Sequence, residues 1–121
     1  MGVFAVQLAV GDPQGERFET VEALVDTGAS YTALPGSLLR RLGVPVVDQR
    51  EFVLADGRRI EREIGEARVR LDGKTLTSIV VFADDGAQSL LGAVTLEEFG
   101  LGIDPVAQKL IPVPGYLMRQ L

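Results

Sequence analysis

The chain has 121 residues, 46% hydrophobic and 24% charged, a balance typical of one globular domain rather than of a disordered chain. Its net charge of −5 argues against nucleic-acid binding, and no apolar run is long enough to suggest a membrane partner. The sequence contains neither cysteine nor histidine, which excludes disulfides, thiol chemistry, Ser-His-Asp catalysis and the usual zinc sites. Acid–base chemistry therefore falls to Asp or Glu, with Lys or Tyr as second choices. No metal or other cofactor is expected, and the lack of cysteine suits a cytoplasmic location.

The first part of the chain predicts a β-hairpin. Apolar residues alternate with smaller or polar ones at four positions, which is the period of a strand: Phe4, Val6, Leu8 and Val10. The segment GDPQG at 11–15 has the composition of a turn, and a second strand-like run follows at 17–26. The two runs are therefore expected to pair as antiparallel strands.

Asp-Gly pairs at 56–57, 72–73 and 85–86 mark further tight turns, since both residues tolerate positive φ. The first two pairs have β-like residues on both sides and predict hairpins. The apolar residues change from even to odd positions near Gly65, which predicts a bulge or bend there. The hairpin around the first pair is therefore expected to leave the main sheet as an arm at about 50–66.

Two short helices are predicted. The helix predicted at 35–44 has leucines at helical spacing. Gly43 is its expected C-cap, since glycine is common where a helix terminates. Residues 95–101 have Thr95 as the expected N-cap and Gly100 as the terminating glycine.

The segments 23–44 and 80–101 share one plan. Each runs from an apolar strand through an acidic-Gly turn and an apolar pair to a short helix that ends at glycine. Their residue identity is weak, but the order is the same. The repeat indicates an internal pseudo-twofold axis.

The segments ALVDTGAS at 23–30 and LLGAVTLEEFGL at 90–101 resemble the retroviral-type aspartic proteases, the retropepsin family, including its small prokaryotic relatives. The resemblance covers most of the chain. It implies an all-β fold, namely a closed β-barrel with one or two short helices and a flap hairpin, which the predicted arm would form. Residues 1–121 would be a single protease domain, one half of a homodimeric enzyme.

Each chain carries one Asp-Thr-Gly turn, at 26–28. Peptide hydrolysis by an activated water needs a base and an acid, and two carboxyls held close supply both because only one of them ionises readily. A twofold homodimer would bring Asp26 to its own copy. Asp26, Thr27 and Gly28 are therefore the expected catalytic residues of an aspartic endopeptidase.

The resemblance also implies the residues that bind a peptide or protein substrate: Ala29, Ser30, Ala55, Asp56, Gly57, Arg58 and Leu90. The tip of the arm departs from the retroviral pattern, which is rich in glycine. Here it reads LADGRRI at 54–60, so Arg58 and Arg59 either favour an acidic partner or form an ordinary charged surface.

Two other functions remain open at this stage. The first is a dimeric peptide-binding module on the same fold with little or no hydrolysis, and the second is a structural β domain in which Asp26 stabilises a turn. Residues 109–113 are a candidate strand. The tail at 114–121 would either strengthen the dimer or block the cleft.

Overall fold

The structure is a computed structural model that describes residues 4–120, and these residues contain nine β-strands and two short α-helices. The strands are β1 (Ala5–Gly11), β2 (Phe18–Val25), β3 (Thr32–Pro35), β4 (Val46–Val53), β5 (Arg59–Leu71), β6 (Lys74–Ala83), β7 (Leu90–Leu91), β8 (Leu101–Asp104) and β9 (Lys109–Pro112). The helices are α1 (Gly36–Arg41) and α2 (Ala93–Glu98). The predicted all-β class with two short helices is confirmed. Residues 1–3 and 121 of the predicted domain lie outside the described residues.

Six strands close into a ring. They are paired in the order β1, β2, β7, β3, β6, β5, and β5 pairs again with β1 through residues 68–70. Strand β4 lies outside the ring, because among the strands of residues 4–120 it pairs only with β5. The ring gives the apolar side chains of its strands a common interior.

The interior of the ring holds the core. The inward positions of the strands and the apolar face of α1 supply side chains that are completely buried: Val10, Val25, Leu34, Leu39, Val69, Val80 and Leu91. These positions follow the alternation seen in the sequence, since successive side chains of a strand point to opposite faces. Burial of this apolar surface is the main contribution to the stability of the ring.

The predicted hairpins are present. Strands β1 and β2 are antiparallel from Ala5 opposite Leu24 to Gly11 opposite Phe18. The 72–73 pair joins β5 to β6 with φ of 54° and 77°, the signs that a two-residue hairpin turn of this type requires. Local turn chemistry therefore determines both connections.

The predicted bulge near Gly65 is also present, and the additional residue lies in β4, the strand that pairs with β5 there. The register of β4 against β5 shifts by one residue between Val46 and Asp48, opposite Gly65. Glycine is needed at this point, because a Cβ atom on Gly65 would lie 2.5 Å from the carbonyl oxygen of Pro45. The change of phase in the sequence thus marks a close approach of two backbones.

The arm is a two-stranded ribbon made of β4, the 56–57 turn and the first part of β5. Residues 59–63 of β5 pair with β4 alone, whereas residues 64–71 pair with β6 inside the ring. The ribbon therefore projects beyond the ring from Gln49, opposite Glu63, close to the predicted start at about residue 50. Strand β4 itself begins at Val46, opposite Gly65, which still pairs with β6 in the ring. Because β4 pairs with β5 on both sides of the bulge, the strand runs from the ring into the ribbon.

Helix α1 ends as predicted, before Gly43 with φ of 78°. The N-terminus predicted for α2 is wrong: the N-cap is Gly92, and Thr95 lies inside the helix. The side chain of Thr95 is completely buried and bonds to other buried hydroxyls, so it does not cap the helix. Gly100, with φ of 66°, follows this helix as expected.

The two repeated segments fold in the same order of strand, turn, short strand and helix. The long strand of each half pairs in parallel with the short strand of the other half, β2 with β7 and β6 with β3. The two short strands meet in the middle, where Ala33 lies opposite Leu90. The reciprocal pairing agrees with the predicted pseudo-twofold axis.

The last strands, β8 and β9, form a separate antiparallel pair, with Leu101 opposite Pro112. The candidate strand at 109–113 is thus present and ends one residue earlier. Residues 113–120 are exposed, including the apolar side chains of Tyr116, Leu117 and Met118. Among the helices of residues 4–120, none has the length and apolar character needed to cross a membrane.

The β1–β2 loop supplies a prediction about pH. The carboxylate of Asp12 accepts backbone N–H groups of Arg17 at 3.0 Å and Glu16 at 2.7 Å, and these bonds, with the nearby Arg17 guanidinium, lower the pKa of Asp12 from 3.8. A lowered folded-state pKa stabilises the protein above the unfolded value, and this stabilisation disappears as the pH falls through the folded value.

We therefore expect Asp12→Asn to be less stable than the unmodified protein at pH 6, with a difference that shrinks below pH 3.8. Urea unfolding at a series of pH values measures this difference. Glu22→Gln, at an exposed position of β2, controls for the loss of one negative charge. A difference that stays constant down to pH 2 would contradict the assignment.

Candidate active site

Asp26 follows directly after the buried end of β2. Leu24 and Val25 pair in parallel with Leu90 and Leu91, and the backbone N–H of Asp26 donates to the carbonyl of Leu91 at 3.0 Å. Val25 and Leu91 are completely buried, whereas Asp26 is half-buried. The core therefore holds the backbone up to the acid, and the chain emerges at the surface immediately after it.

The turn that follows is folded around the Asp26 carboxylate. The backbone N–H of Gly28 donates to Oδ1 of Asp26 at 2.9 Å, and the N–H of Ala29 donates to the Asp26 carbonyl at 3.2 Å. A Cβ atom at Gly28 would lie only 3.1 Å from the same Oδ1, so glycine suits this approach. Thr27 and Ser30 are exposed, and Ala29 is half-buried.

The start of α2 supports this turn from the other half of the chain. The N–H groups of Ala93 and Val94 donate to the carbonyls of Ala29 and Ser30 at 2.8 and 3.0 Å. Backbone donors at the start of a helix have no partner within the helix, and the turn supplies acceptors for two of them. The segments 23–30 and 90–101, which carry the resemblance, are thus in direct contact.

Three buried hydroxyls lie beneath this contact, and sequence reasoning did not identify them as a group. The Thr32 hydroxyl accepts the N–H of Gly92 at 3.1 Å and bonds to the Thr95 hydroxyl at 2.6 Å, which bonds in turn to Ser78 at 2.8 Å. All three side chains are almost completely buried. The sequence does contain a signal for this group: Thr32 and Ser78 are polar residues at inward positions of strands whose other inward residues are apolar.

The predicted substrate-binding residues fall into two groups. Ala29, Ser30 and Leu90 adjoin the Asp26 turn, and Leu90 is half-buried in β7. The other four, at 55–58, form the exposed tip of the ribbon. Within one chain, the structure thus brings the first group together with Asp26 and places the second at the end of the ribbon.

The charges at the ribbon tip are paired with each other. The Asp56 carboxylate accepts the backbone N–H of Arg58 at 3.0 Å and its Nε at 2.7 Å, and these two bonds lower the pKa of Asp56. Arg59 forms an ion pair with Glu51 at 3.0 Å. The two arginines singled out in the sequence are therefore already bonded to carboxylates of the ribbon itself.

Tyr31 connects the Asp26 turn to the projecting part of the ribbon, a contact that sequence reasoning missed. Its ring meets that of Phe52 edge to face, with centroids 6.2 Å apart and planes at 88°. The Arg50 guanidinium lies 5.5 Å from the centre of the Tyr31 ring and donates to its hydroxyl. Residues 26–31 therefore carry both the acid and the anchor of the ribbon.

Two open cavities lie at the surface, and one of them reaches the Asp26 turn. One, of about 340 Å³, is lined by Thr27 together with residues of α2 and β8, among them Leu96, Leu101 and Ile103. The other, of about 480 Å³, lies between α1 and the ribbon, where Arg40 pairs with Glu63 and Arg62 pairs with Asp84. Thr27 thus borders an apolar groove, whereas the ribbon borders a charged one.

A ring of strands, an Asp-Thr-Gly turn at the end of one of them and a projecting ribbon together define the class of retropepsin-like aspartic proteases. The model of the family described as gag-polyprotein putative aspartyl protease matches residues 16–98. The chain belongs to this family, and its fold supports a general aspartyl protease function. No curated protein matches the sequence at a significant level.

Solved structures with the same fold include viral proteases. The EIAV protease complexed with the inhibitor HBY-793 has 17% identity and a TM-score of 0.58, covering 80% of this chain and 88% of that chain. The simian foamy virus (mac) protease has 12% identity and a TM-score of 0.56, covering 79% and 94%.

The same fold occurs in the retroviral protease-like domain of Ddi1 from Leishmania major, with 20% identity and a TM-score of 0.57. This match covers 93% of this chain and 89% of that chain. At these identities the likeness establishes the fold alone.

Proposed function

We propose that the chain is an aspartic endopeptidase that acts as a homodimer, with one Asp26 from each subunit forming the catalytic pair. The observation that carries the proposal is the Asp26 turn, in which a core strand delivers a single carboxyl to the surface and Gly28 donates to it. One carboxyl cannot act as acid and base in the same step, and each chain has one Asp-Thr-Gly turn. A second copy supplies the missing group.

In this mechanism a water molecule lies between the two carboxyls, which share one proton. The ionised Asp26 removes a proton from the water, and the water oxygen attacks the carbonyl carbon of the peptide bond. The protonated Asp26 of the other subunit donates its proton to the carbonyl oxygen. When the tetrahedral intermediate collapses, the first Asp26 gives the proton it took from the water to the leaving nitrogen. The second Asp26 takes a proton back from a hydroxyl of the intermediate, and the C–N bond breaks.

The backbone around the acid supports this chemistry. The N–H of Gly28 holds the carboxyl in place through the bond to Oδ1 at 2.9 Å. The pairing of β2 with β7 and the N–H groups of α2 fix the turn from both sides. A fixed turn is needed because acid–base catalysis depends on the position of each proton donor to within a fraction of an ångström.

The ribbon would act as the flap that covers a bound peptide. Its exposed tip at 55–58 would lie over the peptide, while Ala29, Ser30 and Leu90 line the floor beside the catalytic pair. The projecting part of the ribbon has no strand partner in the ring, and it is held by the contacts of Arg50 and Phe52 with Tyr31. Opening of the flap would separate these side-chain contacts.

The dimer would be formed through the face that carries Thr27. This exposed side chain borders the apolar groove of about 340 Å³ between α2 and β8, so a second copy could pack there. The Thr27 hydroxyl would bond to the main chain of the other subunit. Such a contact brings the two Asp26 turns to the same axis.

One chain has a mass of 13.0 kDa, and we expect sedimentation equilibrium at micromolar concentration to give twice that mass. Specific peptidase activity should fall on dilution below the dissociation constant, because a single subunit holds half of the catalytic pair. Thr27→Ala should raise that dissociation constant about tenfold, which corresponds to one lost hydrogen bond to a buried partner.

Thr20→Ala, at an exposed position of β2, the strand that precedes the Asp26 turn, is the matched control and should leave the dimer unchanged. Peptide cleavage by a strictly monomeric protein would contradict the proposal. A specific activity that is independent of concentration across the monomer–dimer transition would contradict it as well.

A further inference from the structure

The two strands of the ribbon place two arginines side by side. Residues directly opposite in an antiparallel pair project from the same face, and Arg50 lies opposite Arg62. Like charges in this arrangement repel each other. Arg62 is neutralised by Asp84, whose Oδ2 lies 3.0 Å away.

Arg50 differs from the other arginines of the ribbon. Arg58, Arg59 and Arg62 each bind a carboxylate within 3.0 Å. Arg50 makes no ion pair with any residue of the described chain at 4–120, and its bond goes to the uncharged hydroxyl of Tyr31. Asp48, on the same face of β4, accepts the N–H of Gln49. The positive charge of Arg50 is therefore not balanced by a paired acid.

Tyr31 holds this charge beside the catalytic turn. The ring of Tyr31 lies under the Arg50 guanidinium and against Phe52, so the guanidinium is held between the ribbon and the segment that follows the Asp26 turn. A guanidinium carries five N–H donors, and the Tyr31 hydroxyl occupies one side of it. Its remaining donors are exposed and can bind both oxygens of a carboxylate.

We propose that Arg50, oriented by Tyr31, is a specificity-determining residue that binds an acidic side chain of a peptide lying between the ribbon and the Asp26 turn. This inference rests on the proposed function and names part of the substrate class. The net charge of −5 disfavours acidic peptides in general, so the preference is confined to the position that contacts Arg50.

The test uses pairs of peptides that the protein cleaves. The two members of a pair differ only in having Glu or Gln at one position, and this position is moved along the peptide on both sides of the cleaved bond. We expect kcat/KM for Glu to exceed that for Gln about tenfold at one position, the size of a charge-assisted hydrogen bond. In Arg50→Met this ratio should fall to about one. Arg50→Lys keeps the charge without the planar fork and should give an intermediate ratio.

Tyr31→Phe keeps the ring but removes the hydroxyl that orients Arg50, and it should lower the ratio partially. Arg70→Met is the matched control: the Arg70 guanidinium also stacks on a ring, that of Phe18 at 3.9 Å, but far along β5 from the ribbon. This control should keep the full ratio. If Arg50 only anchored the ribbon, Arg50→Met would change the Glu and Gln peptides equally, which would overturn the inference.

Binding of the same peptides to Asp26→Asn separates this inference from the proposed function. Cleavage without a Glu preference, or with one that survives in Arg50→Met, overturns the inference and leaves the protease assignment standing. A second outcome is that no peptide is cleaved, but Glu peptides bind better than Gln peptides and Arg50→Met abolishes this preference. That outcome overturns the protease assignment and supports the binding site. Absence of both cleavage and binding overturns both.

Discussion

Replacement of Asp26 by Asn should lower peptide cleavage by about a thousandfold or more, a loss of the size seen when a catalytic carboxyl is removed. The amide of Asn can neither take the proton of the attacking water nor share a proton with the second carboxyl. Its oxygen can still accept the N–H of Gly28, which now bonds to Oδ1 at 2.9 Å. The turn and the dimer should therefore persist, and the loss should appear in kcat rather than in peptide binding.

Asp72→Asn is the matched control for this change. Asp72 also lies in an acidic-Gly turn and has φ of 54°, a conformation that Asn adopts readily. This variant should retain full activity. Peptide binding without cleavage by the unmodified protein would favour the peptide-binding module, and an intact dimer with neither property would favour a structural role. Cleavage by Asp26→Asn at the normal rate would assign the chemistry to another group.

Replacement of Gly92 by Ala should lower the free energy of unfolding by more than about 3 kcal/mol, the upper end of the range for an overpacked core. A Cβ atom on Gly92 would lie 2.4 Å from the carbonyl carbon of Tyr31 and 2.9 Å from the backbone nitrogen of Thr32. These are backbone atoms of the segment after Asp26, so they cannot rotate away. The variant should also lose activity, because the turn must move to admit the methyl group.

Urea unfolding measured by circular dichroism gives the size of this effect. Gly115→Ala is the matched control, since a Cβ atom there would lie more than 4 Å from the atoms of residues 4–120 other than its own and those of its two chain neighbours. The control should change the free energy of unfolding by no more than about 0.5 kcal/mol. Equal stabilities of the two variants would show that the crossing of the two segments at Gly92 is looser than the structure indicates.

Much of the fold could be predicted from the sequence because it depends on neighbouring residues. The alternation from Phe4 to Val10, the two Asp-Gly hairpins and the glycines after each helix are set by side-chain direction and by backbone φ. The change of phase near Gly65 marked the bulge correctly, since a shift of one residue moves every following side chain to the other face. The position of Asp26 after an apolar strand could also be predicted, because it depends on neighbouring residues alone.

Contacts between distant segments were decided only by the tertiary structure. Thr95 has the local signature of an N-cap, yet its hydroxyl is buried against Thr32 and Ser78, which lie 63 and 17 residues away. A buried hydroxyl must find a partner, and the closure of the ring determines which partner is within reach. The stacking of Arg50 on Tyr31 depends in the same way on the path of the ribbon. The sequence by itself thus determined the strands, the turns and the acid, whereas the buried hydroxyls and the single unpaired ribbon arginine follow from how the described strands pack together.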